Sequence, residues 1–232
     1  MALLLSLETS THSFSCALHQ DEKLVAFKES LEDQTTASLL TVMIDQLFKD
    51  TGIQKDQLSG VVVAAGPGSY TGLRIGVATA KGICFALNIP LISVNTLSLM
   101  AWQFVTQFSG KYDLKNALLC PMLDARRMEV YCLLTNKAGQ IIDQTRAKVI
   151  DELSFNALLD QKEIYFFGEG SDKCNNSIHH VNAKFVSGIK PSASSLGVIG
   201  FQKFMNDEFE NADLFEPFYL KDFVIKKPNL IS

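Results

Sequence analysis

The sequence has few histidines and no paired cysteine motif, and these absences exclude the common zinc sites. Its five cysteines lie in apolar surroundings without a CxxC pair, and their odd number argues against a disulfide framework. The four histidines form neither HxxxH nor HxxH, and the adjacent pair His179 and His180 cannot face one site on a helix. We therefore predict buried, reduced cysteines, as in cytoplasmic proteins, and no metal or other cofactor bound by this chain alone.

Long hydrophobic runs and an excess of positive charge are also missing. No apolar segment approaches the roughly 18 to 20 residues that span a bilayer, and the N-terminal run ends at Glu8 with no positive charge before it, unlike a signal peptide. The formal net charge is −4, whereas a protein that binds tRNA by itself usually carries a basic stripe. The short cluster of Lys221, Lys226 and Lys227 is more typical of a solvated tail. These features predict a cytoplasmic protein that neither enters a membrane nor binds RNA on its own.

The loops of common nucleotide-binding proteins and serine hydrolases are absent as well. A P-loop needs a lysine directly after its second glycine, but Gly72 is followed by Leu73. A dinucleotide fingerprint that starts at Gly66 needs a third glycine where Thr71 stands. No GxSxG nucleophile elbow occurs. The residues therefore nominate no catalytic group.

The most informative segment that is present covers residues 60–97. Four β-branched or small apolar residues at 61–64 predict a strand buried on both faces, and the glycine-rich run at 66–70 predicts a tight turn. A helix is predicted over residues 71–87 and a second strand over 91–94. This order predicts a parallel pair of strands joined by a crossover helix.

The helix predicted over residues 71–87 is apolar or small on more than one face. Its only charged residues are Arg74 and Lys81, which lie on one stripe with Ala78 and Phe85. A smooth strip of small residues recurs every four positions: Gly72, Gly76 and Ala80. A second backbone could approach such a strip closely. The helix is thus predicted to cover its own sheet on one side and a partner on the other; the alternative is a central helix of a large core.

The two halves of the chain repeat one order of elements. Strands at residues 3–7, 14–19 and 24–30 and a helix over about 35–48 precede the central segment, which gives βββαβαβ. Glu8 and Asp124 each end an apolar strand and lie 116 residues apart, and Phe14 and Val130 begin the next strands at the same spacing.

After this repeat, the sequence predicts helices at about 152–159, 171–178 and 192–208 and a strand at 164–167. We predict an α/β fold of two tandem ribonuclease-H-like lobes of the actin (ASKHA) type, each βββαβα-like. The first covers residues 1–98 and carries the partner-binding helices. The second covers 99–232, and its C-terminal segment packs back on the junction.

Acidic and hydroxyl side chains at the ends of the first strands are the candidates for contacts with a phosphate or nucleotide. They are Glu8, Thr9, Ser10, Ser69 and Asp124. The alternative is that these residues only form turns and helix caps. For Asp124 we favour a turn locked by a carboxylate–guanidinium contact with Arg126 over a catalytic role.

Several motifs resemble one known family. The string GPGSYTGLRIG with the following helix and VNTL closely resembles the TsaB (YeaZ) family, bacterial proteins of the machinery that installs threonylcarbamoyladenosine next to the anticodon of tRNAs. The segments LLSLETSTHSFSCAL, MLDARRMEVY and FEPFYL resemble further family motifs, so that the likeness spans nearly the whole chain. It implies the same two-lobed fold.

The resemblance also implies a non-catalytic scaffold that binds the catalytic paralogue TsaD. Where TsaD carries a VNHxxxH-like metal motif after Val94-Asn95, this chain has Thr96 and Met100, which cannot replace imidazole ligands. Further implications are a TsaE-type ATPase as a second partner, a homodimer when the chain is alone, ATP or ADP at a subunit junction of the complex, and tRNA contact only through the complex. The alternative is an actin-like ATPase or kinase, or an M22-type glycopeptidase, with its own active site.

The partner surface is predicted on the helices at about 35–48 and 71–87, because the surplus apolar surface of the second helix would otherwise face water. The family resemblance implies the same interface. The candidate residues are Leu40, Ile44, Gly72, Arg74, Ile75, Gly76, Thr79, Ala80 and Ile83.

Overall fold

Two five-stranded mixed sheets form the framework of the chain in a computed structural model that describes residues 1–31, 36–108 and 110–221. The strands of the first sheet are β1 Leu3–Glu8, β2 Phe14–Gln20, β3 Lys23–Ser30, β4 Gly60–Gly66 and β5 Leu91–Asn95. The strands of the second sheet are β6 Leu118–Asp124, β7 Glu129–Thr135, β8 Ile141–Val149, β9 Ile164–Phe167 and β10 Ala183–Val186. The spatial orders are β3-β2-β1-β4-β5 and β10-β9-β6-β7-β8.

Six α-helices connect these strands within the described residues. They are α1 Thr36–Thr51, α2 Tyr70–Leu87, α3 Thr96–Phe108, α4 Asn156–Leu159, α5 Glu169–Cys174 and α6 Ala193–Met205, with a short 3₁₀ helix at Lys55–Gln57. The long helix α2 begins where the Ser69 hydroxyl accepts a hydrogen bond from the Gly72 amide and ends at Asn88 in the left-handed conformation. The first helix is predicted from residue 35, which lies outside the described residues.

Helices cover both faces of the first sheet, which explains why its central strands carry apolar residues at consecutive positions. On the outer face, Leu5 and Val63 pack against α1 and α2. On the inner face, Leu4 and Val62 pack against α6. Helix α3 contacts strands of both sheets and also contacts α6. The first sheet is therefore complete only with a helix from the second half of the sequence.

Helix α6 approaches the first sheet so closely that glycine is required at two positions. A Cβ atom on Gly197 would lie 2.1 Å from Nδ1 of His19, and one on Gly200 would lie 2.4 Å from a methyl carbon of Val62. The Nε2 atom of His19 lies 3.0 Å from the carbonyl oxygen of Ser194. These contacts join the two halves of the chain.

The predicted duplication is confirmed by the topology of the sheets. The strands β1 to β5 and β6 to β10 follow one another in the same spatial order, with two antiparallel pairs and then parallel neighbours in each sheet. Residues 14–19 and 130–135 lie in the equivalent strands β2 and β7, as the repeat predicts.

The register of the repeat differs by one residue from the predicted spacing. Leu7 pairs with Cys16 on the outer face of the first sheet, and Met122 pairs with Cys132 on the outer face of the second. The spacing is therefore 116 residues in the second strand of each lobe but 115 in the first. As a consequence, Glu8 corresponds to a buried apolar position of β6 and not to Asp124.

The helix predicted over 171–178 is found at Glu169–Cys174 as α5, and three further elements differ from the sequence-based expectation. The pattern does not predict α3 or β10, whose four residues are all half-buried and include a lysine. The helix expected over 152–159 is regular only from Asn156, because residues 151–154 form a turn in which the Asp151 carboxylate accepts hydrogen bonds from the Leu153 amide and the Ser154 hydroxyl.

The last described segment, residues 209–221, crosses the first lobe; we call it the C-terminal strap. The amide of Glu210 donates to the carbonyl of Leu91, and the amide of Phe218 donates to the carbonyl of Ala65 at 2.7 Å. The predicted lobe boundary at residue 98 falls inside α3 and stays a prediction.

The environment of the cysteines agrees with the sequence-based expectation. All five are free and buried, and burial raises the pKa of the Cys16 thiol to about 12.

Over the described residues, every helix is too short or too polar to cross a membrane.

Candidate functional site

The turn after β1 packs directly on the start of α2, and glycines make this contact possible. A Cβ atom on Gly68 would lie 2.3 Å from the carbonyl oxygen of Ser10. On Gly72 it would lie 2.1 Å from the carbonyl oxygen of Thr9, and on Gly76 2.2 Å from the Thr9 hydroxyl. The two motifs that carry the strongest family resemblance, the first turn and the glycine-rich stretch, therefore form one packed unit.

The strip of small residues on α2 consequently faces the chain itself. Gly72, Gly76 and Ala80 are buried, and Thr9 occupies the space above the two glycines. Leu40 and Ile44 of α1 are buried in the same core. This corrects the expectation that these five residues meet a partner. The small residues of α2 allow close packing on the first turn, and the apolar residues of α1 pack in the core of the first sheet.

The remaining candidates lie on the outer side of α2. Arg74 is exposed, and three further side chains are half-buried: Ile75, Thr79 and Ile83. The most exposed apolar residues of these helices are Phe85, at 87%, and Val42 of α1, at 60%. Neither of them is among the predicted partner residues. The sequence does hold a signal for Phe85, because it shares a stripe with Arg74 and Lys81, and the charged side of a helix usually faces water.

The C-terminal strap reaches this outer side and holds Arg74 in place. The Arg74 guanidinium lies over the Tyr70 ring, 4.2 Å from its centre, and its Nε donates to the Tyr219 hydroxyl at 3.2 Å. The rings of Tyr70 and Tyr219 are 4.7 Å apart, and Lys81 donates to carbonyl oxygens of the strap. The FEPFYL motif thus docks on the glycine-rich stretch.

Glu8 is a fully buried carboxyl group at the end of β1. One of its oxygens accepts a hydrogen bond from the Ser10 amide at 2.8 Å, whereas the other, Oε2, has no partner among the described residues. Burial raises the pKa of Glu8 to about 7, although the hydrogen bonds from Ser10 oppose this shift. The side chain is thus held inside the fold at a substantial electrostatic cost.

Four of the five phosphate candidates, Glu8, Thr9, Ser10 and Ser69, lie together, because the Ser69 amide donates to the Ser10 carbonyl at 2.6 Å and the Ser10 amide donates to Glu8, whereas Asp124 does not join them. Thr9 and Ser10 are buried beneath α2, and Ser69 caps this helix. Asp124 belongs to the second lobe, where its carboxylate accepts hydrogen bonds from the Arg126 amide at 2.8 Å and from Lys173 at 2.5 Å. Burial works to raise its pKa, but these hydrogen bonds outweigh it and lower the pKa. The turn is therefore locked as expected, but by Lys173 and not by the guanidinium of Arg126.

A cleft of about 200 Å³ opens between the two lobes near these turns. Its lining is Thr11, His12, Ser13, Leu31, Leu123, Glu169, Ile189, Lys190 and Pro191. Burial raises the pKa of Glu169, with His12 and Lys190 acting in the opposite direction. None of the five phosphate candidates lines this cleft.

Thr96 and Met100, at the positions of the metal motif of the paralogue, are both buried in helix α3. A Cβ atom on Gly168 would lie only 2.4 Å from the methyl carbon of Met100. Within the described residues, no three His, Cys, Asp or Glu side chains are grouped to hold a metal ion. This part of the chain serves packing between the lobes.

Comparisons with known proteins agree with the fold and the motifs. The family described as TsaD, tRNA N6-adenosine threonylcarbamoyltransferase, matches residues 33–228. The tRNA threonylcarbamoyladenosine biosynthesis protein TsaB of Bacillus subtilis is 30% identical over 141 residues, 61% of this chain, and the TsaB of Haemophilus influenzae is 32% identical over 130 residues, 55% of this chain. A Pseudomonas aeruginosa crystal structure described as similar to the peptidase YEAZ superposes with a TM-score of 0.80 at 21% identity, covering 95% of this chain and 100% of that one.

The sequence matches do not extend over the whole of the relatives. They cover 58% of the Bacillus protein and 51% of the Haemophilus protein. The chain thus spans about half the length of the curated relatives it matches.

Proposed function

The chain belongs to the family of TsaD, tRNA N6-adenosine threonylcarbamoyltransferase, in which its curated relatives include TsaB proteins, and from this we propose that it is a non-catalytic scaffold. In our proposal it binds a TsaD-type catalytic paralogue and activates it for the formation of N6-threonylcarbamoyladenosine at position 37 of tRNAs. The chain has its effect by ordering the active site of the partner and contributes no catalytic group.

The observation that carries this proposal is the apolar outer side of α1 and α2. Phe85 exposes 87% of its surface and Val42 exposes 60%. Half-buried Ile75 and Ile83 extend the apolar surface of α2. Large aromatic side chains on an ordered helix are typical of interface centres, where they are shielded from water by the partner.

A paralogue of the same fold is a suitable partner for this surface. It presents an equivalent pair of helices on its own first sheet, so that the two pairs form a four-helix arrangement. A second copy of this chain would present the same surface, and the homodimer and the heterodimer would therefore compete for it. Arg74, which Tyr219 holds in place, adds a fixed positive charge to the surface.

Other parts of the proposed assembly follow from the same premise. The packing of the first turn against α2 leaves the hydroxyl groups of Thr9 and Ser10 buried, which supports a chain without an ATP site of its own. We place ATP or ADP at a subunit junction, together with a TsaE-type ATPase, and we place tRNA contact in the complex. The reduced, buried cysteines suit a cytoplasmic complex.

The test uses the Phe85→Asp variant with Leu153→Asp as a matched control. Leu153 is 77% exposed but lies in the turn before α4, away from the proposed surface. We expect Phe85→Asp to weaken binding of the TsaD-type protein by about tenfold or more, because a buried carboxylate would replace an aromatic anchor. Isothermal calorimetry measures the affinity, and circular dichroism verifies folding.

In the same experiment, Leu153→Asp should bind as the unchanged chain does. Formation of threonylcarbamoyladenosine in a reconstituted assay should fall with Phe85→Asp and recover at high concentrations of the variant. A folded Phe85→Asp protein that binds the partner and supports modification at full strength would refute the proposed surface.

A further inference from the structure

The turn between β6 and β7 holds two arginines in a backbone conformation that arginine rarely adopts. Arg126 has φ of 68° and Arg127 has φ of 50°, so two successive residues without glycine lie in the left-handed region. Glycine and asparagine adopt this region more readily than arginine, because a Cβ atom is disfavoured there. Strained residues of this kind persist only where the surrounding structure enforces them, and they cluster at functional sites.

Lysines from two other elements enforce this turn. Lys173 of α5 donates to the Asp124 carboxylate, to the carbonyl of Arg127 at 2.6 Å and to the carbonyl of Glu129 at 2.7 Å. Lys221 of the C-terminal strap contacts the Glu129 carboxylate and the carbonyl of Ala125. The backbone of the turn is therefore anchored to both α5 and the strap.

The same lysines use the carboxylates that would otherwise neutralise the arginines. Asp124 pairs with Lys173 and Glu129 with Lys221, and the guanidinium groups of Arg126 and Arg127 form no ion pair with any described carboxylate. Both arginines are exposed. The turn thus presents two adjacent, permanent positive charges to solvent.

The other arginines of the chain are engaged. Arg74 is held by Tyr70 and Tyr219, and Arg146 pairs with Asp143 at 2.5 Å. Over the described residues, the two arginines that have no side-chain partner are therefore neighbours on one turn of a chain with net charge −4. Guanidinium groups bind phosphate oxygens in a bidentate manner and retain their charge at any physiological pH.

We propose that Arg126 and Arg127 contact phosphate groups of the tRNA backbone when the chain is part of its complex. This inference rests on the proposed function, which brings tRNA to the assembly. Two phosphate contacts are too few for the acidic chain to hold tRNA alone, but they add to the contacts of a partner that does. Because backbone phosphates carry no sequence information, the turn positions the tRNA and does not select among tRNAs.

The test is the double variant Arg126→Asn, Arg127→Gly, which removes both charges and installs residues that adopt a positive φ more readily. We expect it to fold with a melting temperature about 2–4 °C higher, because the backbone strain is relieved. Its complex with the TsaD-type protein should bind an unmodified tRNA transcript about tenfold more weakly, and the slope of log K against log salt should shrink by about 1 to 2.

Two further variants separate charge from other effects. Arg126→Lys, Arg127→Lys keeps the charges and should retain the salt dependence, but it should lose part of the affinity because an ammonium group cannot make the bidentate contact of a guanidinium. Lys137→Gln, Lys162→Gln removes two exposed charges elsewhere, the first at the opposite end of β7, and should leave tRNA binding unchanged.

Three outcomes would overturn the inference. One is that the Asn-Gly variant binds the partner and binds tRNA as tightly as the unchanged chain, with the same salt slope. Another is that the distant lysine variant weakens tRNA binding to the same extent. The third is that replacing the two arginines changes the affinity of the complex for ATP but leaves its affinity for tRNA unchanged. If the unchanged chain did not bind the TsaD-type protein, the proposed function itself would be refuted. This result distinguishes the failure of the proposed function from the failure of the inference about the arginines.

Discussion

At the scale of single residues, the buried carboxyl group of Glu8 makes a prediction about pH. Its pKa is raised to about 7 in the folded chain from 4.5, so the folded state binds a proton more readily than the unfolded state between these values. The contribution of Glu8 to stability is therefore greatest below pH 4.5 and is lost as the pH rises through 7. The shift corresponds to about 3 kcal/mol of unfolding free energy.

Replacement of Glu8 by Gln should remove this pH dependence, because the amide oxygen can still accept the Ser10 hydrogen bond and carries no charge. Urea unfolding at pH 5 and pH 8 measures the effect. We expect the variant to be more stable than the unchanged chain at pH 8 and to lose less stability between the two pH values. Equal pH slopes for the two proteins would show that Glu8 does not titrate in this range.

At the scale of elements, the two kinds of glycine in α2 lead to opposite predictions. Gly76→Ala would place a Cβ atom 2.2 Å from the Thr9 hydroxyl, and we expect it to destabilise the chain by about 1–3 kcal/mol. Gly82→Ala has no neighbour within 4 Å and should stabilise the helix by about 0.5–1 kcal/mol. Thermal unfolding of the two variants compares them directly. A neutral Gly76→Ala would mean that the first turn does not pack on α2.

The same helix illustrates how far sequence patterns predict this molecule. Its bounds, the parallel crossover and the duplicated lobes follow from local patterns of apolar residues and turns, and they are confirmed. The occupant of its glycine strip does not follow, because Thr9 is distant in sequence and a small-residue strip accepts any backbone equally well. The exposure of Phe85, by contrast, could be inferred from the stripe that it shares with the charged residues Arg74 and Lys81.

The pairing of strands that are distant in sequence also determines where two of the phosphate candidates point. Glu8 and Asp124 end equivalent strands, and spacing alone makes them equivalent, yet one side chain points into the core and the other points to Lys173. A shift of one residue reverses the face of a strand residue, and no local signal reports such a shift.

At the scale of the whole molecule, the two lobes share their core. Leu4, Val62 and Ile92 of the first sheet pack against Leu196 of α6, which comes from the second half of the chain. The contact is close enough to require glycine at two positions of α6. The C-terminal strap adds a second connection, because Lys221 contacts the β6–β7 turn while Phe218 and Tyr219 contact the first lobe. The surface proposed to bind the partner and the turn proposed to contact tRNA are thus linked through the strap.

This shared core predicts that the first lobe does not fold by itself. A fragment of residues 1–98 would retain the outer helices α1 and α2 but would expose the inner face of its sheet, which α6 covers in the full chain. Each large apolar side chain left in water forfeits about 1.5–3 kcal/mol, so the loss of several of them exceeds the typical stability of a domain of this size. We expect the fragment to lack a cooperative thermal transition by circular dichroism, and we expect addition of a separately produced 99–232 fragment to restore one. A 1–98 fragment that unfolds cooperatively without its complement would instead show that the lobes are independent domains, and the interlobe contacts of α6 would then be dispensable for the fold.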